Sequence, residues 1–93
     1  MKLEIGLDYD NTFTADPDLW RSFINSCQER GHRVWIVTAR RQADHNHDDM
    51  NTPDGIPVVF TEMASKVWFM KERRGVEIDI WIDDDPLTCA QGH

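Results

Sequence analysis

Four short apolar runs divide the chain, at residues 3–7, 34–37, 56–60 and 78–82. Each run is rich in Val, Ile or Leu, and none has a wholly polar face. Runs of this length and composition are typical of strands that are covered on both sides, as in a parallel sheet. We therefore predict four strands of one parallel sheet.

The segments between the runs carry helix signals. Asp16 is predicted to be an N-cap with Pro17 at the first helical position, and Gly31 ends the helical spacing of apolar residues that follows. Thr61 is predicted to cap a second helix, which ends at Gly75. These signals predict two helices, each lying between two of the strands.

Alternating strands and helices over residues 1–93 predict a single three-layer, Rossmann-like α/β domain. Its sheet should be short and parallel, with about four strands and with helices on both faces. Ninety-three residues suffice for one small domain with a thin core. No linker, repeat or low-complexity segment divides the chain.

Composition and charge limit the classes of partner that this protein is expected to bind. The formal net charge is −7 and the pI is near 4.8, which repels nucleic acid and anionic membranes at long range. No apolar run approaches the ~18 residues of a membrane span, and the N-terminal segment does not resemble a signal peptide. We expect a cytoplasmic protein without a membrane partner, in which Cys27 is a buried, reduced thiol.

Acids gather where the predicted strands end. Asp8 and Asp10 follow the first run, Thr38 follows the second, and three consecutive acids, 83–85, follow the fourth. Ligands of open parallel sheets bind outside the carboxyl ends of the strands. Four or five carboxylates at one rim require compensation by protons or by a cation. Because the donors are hard oxygens without His or Cys, the cation expected is Mg²⁺ or Mn²⁺ rather than zinc.

Such a rim is suited to a phosphoryl group. A metal ion and Lys66, at the start of the predicted second helix, can neutralise phosphate oxygens, while the Thr38 hydroxyl and nearby amides donate hydrogen bonds. An aspartate placed in line with the leaving group can attack phosphorus. A second aspartate can protonate the leaving oxygen and then take a proton from the water that cleaves the intermediate.

These residues resemble the motifs of the haloacid dehalogenase superfamily of phosphohydrolases. The four motifs occur in order and cover almost the whole chain: Asp8-Tyr9-Asp10-Asn11-Thr12, Val34-Trp35-Ile36-Val37-Thr38, Lys66, and Ile80-Trp81-Ile82-Asp83-Asp84. A bacterial receiver domain also uses acids, Thr and Lys with magnesium, but its acid pair comes first and its Lys last. Here an acid pair, Asp83-Asp84, comes last and Lys66 precedes it. The ending Ile82-Asp83-Asp84-Asp85-Pro86 is similar to that of deoxyribonucleotidases and polynucleotide 3′-phosphatases, over a shorter stretch.

The resemblance implies a role for each matching position. Asp8 would be the nucleophile and a metal ligand, and Asp10 the general acid/base, with its backbone carbonyl on the metal. Thr38, the Ala39 amide and Lys66 would bind the transferring phosphoryl group. Asp83 and Asp84 would be metal ligands, Asp84 directly and Asp83 directly or through water. From their positions in the sequence, at the end of the first motif and two residues past Thr38, Thr12 and Arg40 are also predicted to bind substrate.

The resemblance also implies a capless member, because the spacing between motifs leaves no room for a cap domain. The site should therefore be open, with a large phosphorylated substrate or a second copy of the chain covering it. Arg40 and Arg41 follow Thr38 and can meet further phosphates, so a nucleotide or nucleic-acid end is one candidate substrate.

Two interpretations remain at the level of sequence. The first is a magnesium-dependent phosphatase acting on a phosphate monoester through an aspartyl-phosphate on Asp8. The alternative is a catalytically weak metal- and phosphate-binding regulatory module of the same fold. A lesser option within the enzyme class is phosphoryl transfer to an acceptor other than water. Two histidines, His45 and His47, lie beside acids and suggest zinc, but a polar loop is the simpler interpretation.

Overall fold

The protein was analysed as a computed structural model that describes residues 1–43 and 50–90. Its strands and helices follow in the order β1 (Glu4–Asp8), a 3₁₀ turn (Phe13–Ala15), α1 (Pro17–Glu29), β2 (Arg33–Thr38), β3 (Val58–Phe60), α2 (Lys66–Arg74), β4 (Ile80–Ile82) and α3 (Leu87–Ala90). All four predicted strands are present, and their bounds lie within two residues of the apolar runs.

The four strands form one parallel sheet in the order β3-β2-β1-β4. The predicted α/β class with a four-stranded parallel sheet is therefore confirmed. β1 is an internal strand, with Leu7 paired to Ile36 of β2 on one side and to Ile82 of β4 on the other. None of the helices within the described ranges has both the length and the apolar character needed to cross a bilayer.

Side chains on the two faces of the sheet form separate cores. On one face, Ile5 and Leu7 of β1 pack with Ile24 and Cys27 of α1. On the other face, Val37 of β2 packs with further apolar side chains, among them Val59, Met70, Phe69, Trp35 and Trp81. The two helices therefore cover opposite faces, and alternate residues of each strand point to one helix or the other.

α1 begins and ends where its sequence predicts. Asp16 accepts a hydrogen bond from the Leu19 amide at 3.2 Å, and Pro17 is the first helical residue, where its missing N–H costs nothing. Gly31 has a φ of 83°, which is accessible to glycine after a helix C-terminus.

The predicted start of α2 is wrong. The N-cap is Ser65, whose hydroxyl accepts from the Trp68 amide at 3.3 Å, and Lys66 is the first helical residue. Thr61 instead closes a turn through a hydrogen bond from its hydroxyl to the Ala64 carbonyl at 3.2 Å. The predicted end at Gly75 is confirmed, with a φ of 68° at the C-cap.

Candidate active site at the carboxyl end of the sheet

One cavity of about 300 Å³ lies where the internal strands end. We call it the main cavity. Most of the residues predicted for the site line it: Asp8, Asp10, Thr38, Ala39, Arg40, Lys66, Asp83 and Asp84. The structure therefore brings together side chains from the ends of β1, β2 and β4 and from the start of α2, as expected for the carboxyl edge of a parallel sheet.

Lys66 lies between two carboxylates at the floor of the main cavity. Its Nζ donates to Asp8 Oδ1 at 2.7 Å and to Asp83 Oδ2 at 2.5 Å. The three side chains are 2%, 8% and 3% exposed, so these ion pairs are shielded from solvent. Placing Lys66 in the first turn of α2 allows its long stem to reach back over the end of β1.

Burial and charge act in opposite directions on these three groups. Burial raises the pKa of Asp8 to about 6, although the hydrogen bond and the charge of Lys66 oppose the rise. Burial alone would lower the pKa of Lys66, but hydrogen bonds and charges from Asp8 and Asp83 raise it. Burial would also raise the pKa of Asp83, yet Lys66 and the Asp85 amide hold it below its usual value. Lys66 and Asp83 are thus charged near neutral pH, whereas the pKa of Asp8, about 6, lies close to neutral pH.

Thr12 joins the nucleophile candidate to the last strand. Its Oγ1 lies 3.1 Å from Asp8 Oδ2 and 3.1 Å from Asp84 Oδ1, and it accepts from the Asp84 amide at 3.1 Å. A hydroxyl has one proton, so it donates to one carboxylate at a time. Thr12, predicted as a substrate-binding residue, lies beside the main cavity rather than on its surface. Its hydroxyl links Asp8 to Asp84 and fixes their relative positions.

Three carboxylates are close enough to share a cation. Oxygens of Asp8, Asp83 and Asp84 lie within 4.8 Å of one another. With Lys66 among them, the ionised group has a net charge of −2. Oxygen donors and this charge fit a hard divalent ion such as Mg²⁺. The carboxylate of Asp10 is not part of this group.

Asp10 makes an ion pair with Arg40 instead. Arg40 Nε and Nη2 donate to the two Asp10 oxygens at 2.9 and 2.7 Å, in a bidentate arrangement. The guanidinium also lies over the Tyr9 ring, 5.5 Å from its centre, and the Arg40 amide donates to Thr38 Oγ1 at 3.3 Å. Arg40 is therefore fixed at the mouth of the main cavity by contacts with both the first and the second predicted motifs.

A strained turn forms another part of the mouth. Glu62 and Met63 both have positive φ, 57° and 66°, which is uncommon outside glycine. Hydrogen bonds from their amides to the carbonyls of Arg40 and Ala39, at 3.3 and 2.8 Å, hold them there. The turn exposes 63% of Met63, whose side chain lines the main cavity. No local sequence signal marks Met63, because the conformation is imposed by the neighbouring segment.

Two residues behind the site, Ser65 and Cys89, were not predicted from the sequence. The Ser65 hydroxyl donates to the Cys89 carbonyl at 2.7 Å, and the Cys89 thiol lies 3.4 Å from Asp83 Oδ2. Burial, with the Asp83 charge adding to it, raises the pKa of this thiol to about 12. α3 is thereby tied to the acid cluster, and both Cys27 and Cys89 are free thiols. The predicted His45–His47 loop lies outside the described residues.

Together, the fold and the site define a class: a parallel α/β domain with a lysine-bridged acid cluster at the carboxyl end of an internal strand. Comparison with protein-family models, with curated proteins and with solved structures gives no match to this chain. Its function must therefore be inferred from the site.

Proposed function

We propose that this chain is a magnesium-dependent phosphohydrolase of the haloacid dehalogenase type, acting on a phosphate monoester through Asp8. The observation that supports this most is the setting of the Asp8 carboxylate. It lies at the end of an internal strand, with the Lys66 ammonium on one oxygen and the Thr12 hydroxyl on the other. Thr38, the hydroxyl expected to bind phosphate, lines the same cavity.

The residues then have the following tasks. Asp8 attacks phosphorus, forming an aspartyl-phosphate while the bond to the ester oxygen breaks, and the leaving oxygen takes a proton from Asp10. Water next attacks the phosphoryl group, gives its proton to Asp10 and releases Asp8. Lys66 and the Thr38 hydroxyl bind the phosphoryl oxygens. Asp8, Asp83 and Asp84 would hold Mg²⁺, which neutralises charge on the phosphoryl group.

The test is a phosphatase assay with and without Mg²⁺ on p-nitrophenyl phosphate, nucleotides, 3′-phosphorylated oligonucleotides and phosphopeptides. Asp8→Asn should lower kcat on any substrate by about a thousandfold or more, because the nucleophile is lost. Asp54→Asn, an exposed acid in a turn, is the matched control and should keep full activity. Activity that survives Asp8→Asn would refute the mechanism.

A nucleic-acid end remains a candidate substrate within this proposal. Arg40 is the residue that would contact a further phosphate, since it lines the main cavity beyond Thr38. Turnover of a phosphorylated oligonucleotide should then fall in Arg40→Ala and with added salt, while p-nitrophenyl phosphate should show less salt dependence. Equal salt dependence for both substrates would argue against the oligonucleotide.

A second candidate is a module that binds metal and phosphate but turns over little. The bidentate ion pair with Arg40 favours it, because both Asp10 oxygens are engaged and must be released before proton transfer. Such a module would bind inorganic phosphate in the presence of Mg²⁺, measured by calorimetry, without hydrolysing any of the esters. Hydrolysis of one ester with ordinary turnover would exclude it.

A further inference from the structure

A second cavity of about 330 Å³ lies next to the main cavity, on the side of α1. We call it the side cleft. Its apolar walls come from the 3₁₀ turn, α1 and β4: Ala15, Leu19, Trp20 and Ile82. Leu19 is 54% exposed, while Trp20 and Ile82 are partly buried and pack against the core. The walls therefore rest on fixed core packing, yet they offer apolar surface to solvent.

The side cleft adjoins the proposed reaction centre. Asn11, Asp83 and Asp84 line both cavities, so a molecule held at the acid cluster reaches the cleft by passing over these residues. Asn11 has a φ of 65°, and its amide donates to Thr14 Oγ1 at 2.9 Å, which turns the chain at this boundary. The position of the cleft suits the part of a substrate that lies beyond its phosphoryl group.

Charge decides which kind of group the side cleft accepts. Its described lining includes three acids, Asp16, Asp83 and Asp84, and neither Lys nor Arg. Asp83 and Asp84 are shared with the main cavity and with the proposed Mg²⁺, but a second phosphate here would also meet the like charge of Asp16, costing about 1–4 kcal/mol at ~4 Å. The cationic side chains, Arg40 and Lys66, line the main cavity instead. A neutral apolar ring meets no such penalty and buries the surface of Leu19 and Trp20.

We propose that the side cleft binds the neutral, ring-bearing leaving group of a phosphate monoester whose phosphoryl group occupies the main cavity. This inference rests on the proposed function. It assigns the substrate to monophosphates of aryl or nucleoside type. It disfavours nucleoside triphosphates, in which a further phosphate rather than the ring follows the phosphoryl group that is transferred.

The experiment compares two non-hydrolysable probes, benzylphosphonate and methylphosphonate, by calorimetry in Mg²⁺. The wild-type chain should bind benzylphosphonate about tenfold more tightly. Leu19→Ser should reduce that preference about three- to tenfold and leave methylphosphonate unchanged. Val67→Ser is the matched control, because Val67 is 42% exposed on α2 and lies away from the cleft. Leu19→Phe, which keeps the apolar wall, should retain the preference.

The outcomes separate the two proposals. Ester hydrolysis with equal binding of both probes overturns the role of the side cleft and leaves the phosphatase intact. Absence of both hydrolysis and phosphonate binding overturns both proposals. Sedimentation supplies a third outcome: a dimer that Leu19→Ser converts to a monomer, without change in the benzyl preference, would make this face an interface between copies and overturn the inference.

Discussion

Replacing Lys66 with methionine tests the acid cluster directly, because the change removes the ammonium and keeps most of the aliphatic stem. Nζ contacts Asp8 and Asp83 at 2.7 and 2.5 Å, and the lysine side chain is 2% exposed. Removing one partner of a buried ion pair costs about 3–5 kcal/mol, since the remaining charges are left uncompensated. A domain of this size has about 5–14 kcal/mol of stability in total, so the loss should be large.

Thermal unfolding in EDTA measures that loss. In a domain of this size 1 kcal/mol corresponds to about 4–8 °C, so the Tm of Lys66→Met should fall by about 12 °C or more. Lys71→Met, at an exposed position of the same helix, is the control and should shift the Tm by less than about 4 °C. If Lys66→Met lowers the Tm no more than Lys71→Met does, the ion pairs do not hold the site together.

Magnesium should act on this variant more strongly than on the wild type. Without Lys66 the net charge of the cluster changes from −2 to −3, so a divalent cation should bind at least about tenfold more tightly. The rise in Tm on adding Mg²⁺ should therefore be larger in Lys66→Met. An equal rise in both proteins would refute the placement of the cation at this cluster.

Three further predictions concern β1 and the residues that contact it. Thr12→Val should weaken Mg²⁺ binding about 10- to 100-fold, because it unlinks Asp8 from Asp84, and Thr12→Ser should restore it, both measured by calorimetry. The folded-state pKa of Asp8, about 6, lies above the unfolded value of 3.8, so the folded state binds the proton more tightly and stability falls as pH rises from about 4 to 6. Urea unfolding in EDTA measures this fall, which should be worth up to about 3 kcal/mol in the wild type and be absent in Asp8→Asn. Stability that depends on pH in the same way in both proteins would contradict the prediction. Gly6→Ala should cost about 1–3 kcal/mol in urea unfolding, because its Cβ would lie 2.7 Å from ring carbons of Trp81; a loss below about 0.5 kcal/mol would show that the ring gives way.

The fold was predictable because its signals are local or periodic. Continuous apolar runs identified all four strands, although β4 at the edge of the sheet is not buried and Ile80 is 44% exposed. Asp16 with Pro17, Gly31 and Gly75 marked three helix ends through capping chemistry that involves only neighbouring residues. The clustering of acids followed from one topological rule, that parallel strands end at the same edge. These predictions needed no knowledge of how distant side chains meet.

The missed features depend on contacts between distant segments. Thr61 and Ser65 are both good capping residues, and the choice between them is made by the turn whose amides bind the carbonyls of Ala39 and Arg40. The pairing of Arg40 with Asp10 depends in the same way on two loops 30 positions apart. Sequence patterns show which groups are available at the rim, whereas their pairing is decided by packing.

The hydrogen bonds of Thr12 have a consequence for biosynthesis. Thr12 and Asp84 are 72 positions apart, and β1 lacks its second neighbour until β4 has been made. During translation one edge of β1 therefore stays unpaired until β4 is made. The ion pair between Lys66 and Asp83 also forms only after Asp83 has been added. Because contacts between distant positions form late and slowly, the acid cluster should be among the last parts of the chain to assemble. A ribosome-stalled chain ending before β4 would then expose an open strand, which is the state most prone to aggregate.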